Sequence, residues 1–321
     1  MKAEPLSRIS PFDLNRLMAS LDVEVVALSE CLVNTGFRLE IGDVERPGIH
    51  YVMKGTGRIV FKNGLSFDVA PHSLIIVAPN TSFMLEPAPA ESSRDSQTTV
   101  GAGKVGVMVD SVFRIRAGDE VHEPQMIVIC GYFKAQYGAS TGLFEGLAVP
   151  IFEQFSAADQ LDDKLQAAFD ELLKQEIGAG AMSGALMKQV IVALLRRSLT
   201  SVDTWMERFA MLSDPKVARA FACMVADPGA AHTIESLAEN AFLSRSAFMA
   251  RFSSVIGRSP MLVLRDLRMR QAAAQLSAGA FTIDQIVRNA GYASRSSFVR
   301  MFKKVHGVEP SGYRETQETE R

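Results

Sequence analysis

The feature that most constrains this chain is a repeat near its C-terminus. Thr233–Pro260 reads TIESLAENAFLSRSAFMARFSSVIGRSP, and Thr282–Pro310 reads TIDQIVRNAGYASRSSFVRMFKKVHGVEP. Thr233 matches Thr282, and Asn240-Ala241 matches Asn289-Ala290. The second copy then carries one extra residue. After it, Ser244-Arg245-Ser246, Phe248, Phe252, Gly257 and Pro260 match Ser294-Arg295-Ser296, Phe298, Phe302, Gly307 and Pro310. Chance does not give that many matched positions, so one small unit is built twice.

Each copy has the grammar of two short helices around a tight turn. Thr233 is a good N-cap, and Glu235 sits in the first turn, where the helix dipole favours an acid. Ile234, Leu237, Ala238 and Ala241 make the apolar stripe. Ser244 opens a second helix, on which Phe248 and Phe252 lie four apart and face the core. Gly257 ends that helix and Pro260 follows. Ser294, Phe298, Phe302, Gly307 and Pro310 repeat those roles. In the second copy Asn289-Ala290-Gly291 makes the turn, and glycine accepts the positive φ it needs.

With the phenylalanines inward, the opposite face of the second helix carries Ser246, Met249, Ala250 and Ser253. Its counterpart carries Ser296, Val299, Arg300 and Lys303. A recognition helix lays such a face in the major groove, where arginine bonds guanine bidentately. Ser246, Met249, Ala250, Ser296, Val299 and Arg300 are therefore the expected base-contacting residues. Arg245, Arg251, Arg295, Lys303, Lys304 and Arg314 are assigned to phosphates, which position the protein without specifying sequence.

Between the copies, Met261–Leu276 (MLVLRDLRMRQAAAQL) has no Gly or Pro and predicts one continuous helix. About 18 helical residues span roughly 27 Å. That approaches the ~34 Å between successive major grooves on one face of DNA.

Charge agrees. The whole chain has a net charge of −2, but residues 213–321 hold 15 Lys and Arg against 10 Asp and Glu. That segment is therefore +5 and the preceding one −7. A basic block on an acidic chain is the electrostatic footprint of nucleic-acid binding.

At LAENAFLSRSAFMARF, GRSP, LRDLRMRQAAAQL and IVRNAGYASRSSFVRMFKKVHGVEPSGYR the chain resembles the AraC/XylS family of bacterial transcription regulators. The resemblance covers roughly the last hundred residues, and Asp214-Pro215 through His232 is similar to the helix preceding the module in a cupin-bearing branch. It implies a bipartite DNA-binding domain joined by the Arg268-containing helix, and promoter activation through RNA polymerase. Family members usually carry arginine where this chain has Ala250; the second copy keeps it as Arg300. Arg251 lies about 100° further around the helix.

The N-terminal two thirds read differently. From Gly36 to about Tyr137 short strands dominate. Arg58–Phe61 leads to Asn63-Gly64, a hairpin signal, and Leu65–Val69 alternates. Ser73–Val77, Val105–Val109 and Gln125–Cys130 are apolar runs of strand length. Ala88–Lys104 is polar and aperiodic, and reads as a loop. The pattern suggests a barrel or sandwich. HYVMKGTG at 50–57, DVAPHSLIIVAPNTSF at 68–83 and ICGYFKAQYG at 129–138 resemble the cupin-type sensor of the same family. That resemblance implies a small barrel that receives an effector, with His50, Phe83 and Cys130 as candidate effector contacts.

From Asp159 the periodicity becomes helical. Leu161, Leu165, Phe169, Leu172 and Leu173 form one stripe. Met187, Val190, Ile191, Leu194 and Leu195 form another. Part of this helical pair is a candidate homodimer interface.

The chain has 321 residues and predicts several domains. The expected fold class is α+β: a cupin-like barrel over residues 1–150, a helical linker over 151–212, and an all-α double helix-turn-helix over 213–316. Within the last, the repeats fall at about 233–255 and 282–305, and the linking helix at about 260–277. No run of about 18 apolar residues and no apolar N-terminal region occur, so no membrane span or secretion signal is expected. Three cysteines without Cys-x-x-Cys spacing read as free thiols in a reducing cytosol. Cys130 reads as buried and Cys31 as exposed.

The reading is a cytoplasmic, effector-controlled regulator that binds double-stranded promoter DNA. It expects no cofactor, no metal and no enzymatic activity. Only His50, His72 and His122 are available to the barrel, too few in pattern for a metal cluster. Two alternatives stand beside it: a metal-dependent cupin enzyme with a DNA-binding tail, and an architectural DNA binder with little sequence preference.

Overall fold

Runs rich in β-branched and aromatic residues make the described part of the chain between residues 22 and 154 mainly a succession of strands. The computed structural model describes residues 9–42, 44–88, 98–101, 106–109, 112–137, 141–144, 147, 149–174, 176–200 and 214–319. They divide into two compact units. One contains Asp22–Ala135 and Phe144–Arg208; the other contains Met1–Leu21, Gln136–Leu143 and Phe209–Arg321.

The first unit is built on two sheets. Its strands are β1 (Asp22–Val33), β2 (Phe37–Ile41), β3 (Gly48–Lys54), β4 (Gly57–Phe61), β5 (Ser66–Val69), β6 (Ser73–Val77), β7 (Phe83–Pro87), β8 (Thr98–Gly101), β9 (Gly106–Val109), β10 (Val112–Ala117), β11 (Met126–Tyr137) and, beyond a two-residue strand β12 (Thr141–Gly142), β13 (Ile151–Gln154). One sheet runs β13-β6-β3-β11-β1-β10-β9, and the other β5-β4-β7-β2-β8. Leu39, Ile59, Phe61, Phe83 and Leu85 from the second sheet share a buried core with Val52, Ile75, Val77, Val128 and Cys130 from the first. The Asn63-Gly64 hairpin forms as its sequence predicts. Gly64 takes φ +86°, and the Phe61 amide donates to the Leu65 carbonyl at 2.8 Å.

Several expectations need correction. The strands begin at Asp22, not Gly36, and β1 pairs in parallel with β10, a non-local partner. Thr98–Gly101, inside the expected loop, pairs in parallel with β2. Much of the rest of that loop, and Val105, lie outside the described residues. Residues 151–154, expected to open a helical linker, form a strand antiparallel to β6.

Helices α2 (Leu161–Lys174) and α3 (Ala179–Thr200) pack on each other and on β1. A Cβ at Gly184 would sit 2.5 Å from the Val23 carbonyl oxygen, so glycine lets α3 approach the strand. Leu161, Leu165, Phe169, Met187, Val190, Ile191, Leu194 and Leu195 are all buried within this unit. Most of both stripes is thus core of this unit, and among the described residues Leu173, Ile177 and Met182 are the large apolar side chains left exposed on the pair and its connection. Among the described residues, α3 is the one helix long and apolar enough to cross a membrane, and its apolar stripe is spent on this packing. Residues 201–212, also assigned to the linker, lie outside the described residues.

The second unit opens with a helix the sequence reading missed, α1 (Pro11–Ser20), capped by Ser10. It packs on α4 (Pro215–Ala226), capped by Asp214. Ser20 Oγ donates to the Val225 carbonyl at 3.1 Å, and Arg219 pairs with the buried Asp13 at 3.4 Å. Then follow α5 (Ile234–Asn240), α6 (Arg245–Ile256), α7 (Pro260–Ala278), α8 (Ile283–Asn289), α9 (Arg295–His306) and α10 (Pro310–Thr319). α7 is continuous, and its 19 residues give about 28 Å at ~1.5 Å per residue.

Candidate nucleic-acid interface

Both repeats fold as helix-turn-helix units, and the caps show why. Thr233 accepts from the Ser236 amide in a capping box, and Thr282 does the same with Gln285. Ser244 and Ser294 cap α6 and α9 by accepting from the Ala247 and Ser297 amides. Gly257 and Gly307 close those helices in the left-handed region, at φ +74° and +78°. Phe248, Phe252, Phe298 and Phe302 are fully buried. Burying each contributes about 1.5–3 kcal/mol.

With those rings inward, Ser246, Met249 and Ala250 are exposed on α6, and Ser296 and Arg300 on α9. Val299 is half-buried and packs against the core of the second repeat, so its reach toward solvent is limited. Arg300 has no hydrogen bond or ion pair within the described residues, leaving its guanidinium free for a ligand. A shallow surface depression of about 760 Å³ is lined by Arg295, Ser296, Val299, Arg300, Lys303 and Glu309. The second repeat therefore brings its sequence-selected residues to one place.

The cations assigned to phosphates divide into two groups. Arg245 pairs with Glu235 at 2.9 Å, and Arg295 pairs with Asp284 at 3.2 Å. These pairs occupy matching positions of the two repeats and are exposed, so exchanging the acid for a phosphate costs little. Lys303 pairs with the exposed Glu309 at 3.0 Å, and Lys304 is exposed. Arg251 and Arg314 are directed elsewhere. Arg251 pairs with Asp214, the cap of α4, and Arg314 donates to the Phe281 carbonyl at 2.7 Å. Both guanidiniums serve intramolecular contacts.

The turn of the first repeat holds a departure that the aligned sequences signal. Phe242 occupies the place of Gly291 and takes φ +54°, against +69° for Gly291. Phe242 is 72% exposed, with the Arg219 guanidinium 5.0 Å from its ring centroid.

In the first unit, His50, Phe83 and Cys130 do come together, but in closed packing. His50 lies opposite Cys130 in the β3–β11 register, and its ring meets Phe83 edge-on at 4.5 Å. Both ring nitrogens are buried without a hydrogen-bond partner, and burial lowers the imidazole pKa to about 3. Cys31, expected to be exposed, is fully buried. Burial, with Cys130 as the hydrogen-bond donor toward the Cys31 sulfur, pushes the Cys130 thiol well up. Among the described residues no three His, Cys, Asp or Glu side chains converge as a metal ligand set.

Comparison with known proteins agrees with this geometry. A helix-turn-helix domain profile matches residues 237–316, and a cupin profile matches residues 14–200, more than half the chain. A putative AraC-like transcription regulator of Streptomyces lividans is 31% identical over 211 residues, 64% of this chain and 67% of that protein. The chain belongs to the AraC/XylS family of transcription regulators. Another AraC-type relative, the RCS-specific transcriptional activator RclR of Escherichia coli, is 28% identical over 68% of this chain and 82% of its own length. Among solved structures, apo ToxT K231A of Vibrio cholerae aligns over 92% of this chain and 96% of its own, with 14% identity and a TM-score of 0.33. As an AraC-family member the chain is a DNA-binding transcription regulator, with a cupin domain preceding its helix-turn-helix domain.

Proposed function

We propose that this regulator activates transcription from a promoter read jointly by α6 and α9, under the control of a signal received by the cupin unit. The pair of exposed recognition faces on one continuous connecting helix carries this reading. Ser246, Met249, Ala250, Ser296, Val299 and Arg300 face base edges, and α9 supplies the arginine that α6 lacks. Arg245, Arg295, Lys303 and Lys304 take phosphates. RNA polymerase is the partner on DNA, a homodimer is the binding form, and the cytoplasm is the compartment. The protein is not an enzyme. Selection of bound fragments from random DNA, followed by footprinting, tests it. Two protected half-sites about one helical turn apart are expected. Binding without sequence preference would refute it in favour of an architectural role.

One observation favours a second reading of the signal. The buried Cys31 and Cys130 thiols lie in one core on the neighbouring strands β1 and β11, and the Escherichia coli relative is named RCS-specific. Although its raised pKa keeps Cys130 protonated, adjacency favours reaction between the two sulfurs. Two thiols and one peroxide or hypochlorous acid molecule would give a disulfide, with the oxidant reduced to water and alcohol, or to water and chloride. Intact mass and DNA affinity, followed during hypochlorite titration, should show two hydrogens lost as affinity changes. In Cys31→Ser neither should change. If affinity responded equally in that variant, this reading would fail.

A further inference from the structure

We infer that Arg268, on the connecting helix, is the positioning residue that fixes the spacing between the two reading heads. Its Nε donates to the Pro228 carbonyl at 2.8 Å, and its NH2 group to the Ala230 carbonyl at 2.9 Å. These carbonyls flank Gly229, in the loop that joins α4 to the first repeat. The same loop is wedged against the turn of the second repeat. A Cβ on Gly229 would sit 1.9 Å from the Asn289 carbonyl oxygen. A Cβ on Gly291 would sit 2.5 Å from the Gly229 carbonyl oxygen and 3.0 Å from the Arg268 guanidinium. Two glycines, one from each side, thus let two backbone segments touch, and one guanidinium fork locks the contact.

The consequence is geometric. The two heads are linked covalently through α7, which packs into the core of the second repeat, so the placement of the first head depends on what holds it to that body. The Gly229–Gly291 contact is a second attachment. It ties the entrance of the first head directly to the turn that sets the direction of α9. Asp266, two residues before Arg268, strengthens the other end. It accepts from Arg258, just beyond the C-cap of α6, at 2.5 Å, and from Arg265 at 2.9 Å. A body fixed at two points holds its recognition helices at one separation and one angle. Lysine cannot replace Arg268, because an ammonium lacks the planar fork that serves both carbonyls.

This inference rests on both helices reading DNA together, and the test separates the two claims. Full-length protein selects its site from random DNA. One base pair is then inserted or removed between the half-sites, and affinities are compared for wild type, Arg268→Ala and Arg268→Lys. Wild type should lose tenfold or more with altered spacing. Arg268→Ala should bind the original site several-fold more weakly, yet lose no more than about threefold when the spacing changes. Arg268→Lys should fall between, and it carries the test if Arg268→Ala does not fold. A variant as sensitive to spacing as wild type overturns the role given to Arg268. A wild type indifferent to spacing overturns the two-headed reading itself, and this inference with it.

Discussion

Phe242 and Gly291 occupy the same turn position of the two repeats, and both are left-handed, at φ +54° and +69°. Glycine adopts that conformation freely; a bulky side chain pays about 1–3 kcal/mol. The Arg219 cation above the Phe242 ring offsets about 0.5–1 kcal/mol of this. Phe242→Gly should therefore stabilise the DNA-binding unit by about 1 kcal/mol. A higher urea midpoint at unchanged m-value would show it, and a lower midpoint would mean that the exposed ring contributes more than the strain removes. Gly291→Ala should do the reverse and cost more, because its Cβ also meets the Gly229 carbonyl.

Arg300 and Arg295 should fail in different ways. Arg300 is exposed on the groove-facing side of α9, so Arg300→Ala should relax preference at one base pair at a cost of about 1–3 kcal/mol. Arg295, at the helix start, pairs with the exposed acid Asp284. Arg295→Ala should weaken all sequences alike and reduce the salt slope by about 0.9. Binding measured against single-base variants of the selected site, at several salt concentrations, separates the two patterns. Uniform weakening by Arg300→Ala would show that it too serves the backbone.

Arg251 and Asp214 tie the first recognition helix to the cap of α4. Asp214 accepts from the Lys216 and Val217 amides as well, so Asp214→Ala removes a cap and leaves Arg251 without its acid. A loss of about 1–2 kcal/mol is expected, seen as a lower denaturation midpoint. Arg251→Ala should likewise lower stability while leaving the salt dependence of DNA binding unchanged. A shallower salt slope would return Arg251 to the phosphate contacts.

The C-terminal module was legible because its signals are local. Thr233, Ser244, Gly257 and their counterparts each act within a few residues of their own position, and phenylalanines four apart declare a buried face. What escaped was non-local. β1 does not alternate cleanly, since both of its faces are covered near its end, and its parallel partner β10 lies some eighty residues away. That is why Cys31 read as exposed: nothing near it in sequence announces the sheet and core that bury it. Helix α1 was missed because its burial depends on α4, two hundred residues later. Arg268 was recognisable as part of the connecting helix, but its role depends on carbonyls that only the folded chain brings to it.

His50 gives the cupin unit a pH dependence of definite sign. Its imidazole is fully buried, neither nitrogen has a partner, and its pKa falls from 6.5 to about 3. An unfolded chain protonates this histidine as pH drops through about 6.5, whereas the folded chain keeps it neutral until about 3. The unfolded state then binds more protons, so stability is complete above pH 6.5 and declines as the medium is acidified toward pH 3. The loss amounts to several kcal/mol across that range, at ~1.4 kcal/mol per unit. His50→Leu keeps an apolar side chain against Phe83 and removes the titration. Its urea midpoint should change much less than that of wild type between pH 7 and pH 4.5. If the two proteins lost stability in parallel, the acid sensitivity would belong to other groups, and His50 would have to gain a partner or water on protonation.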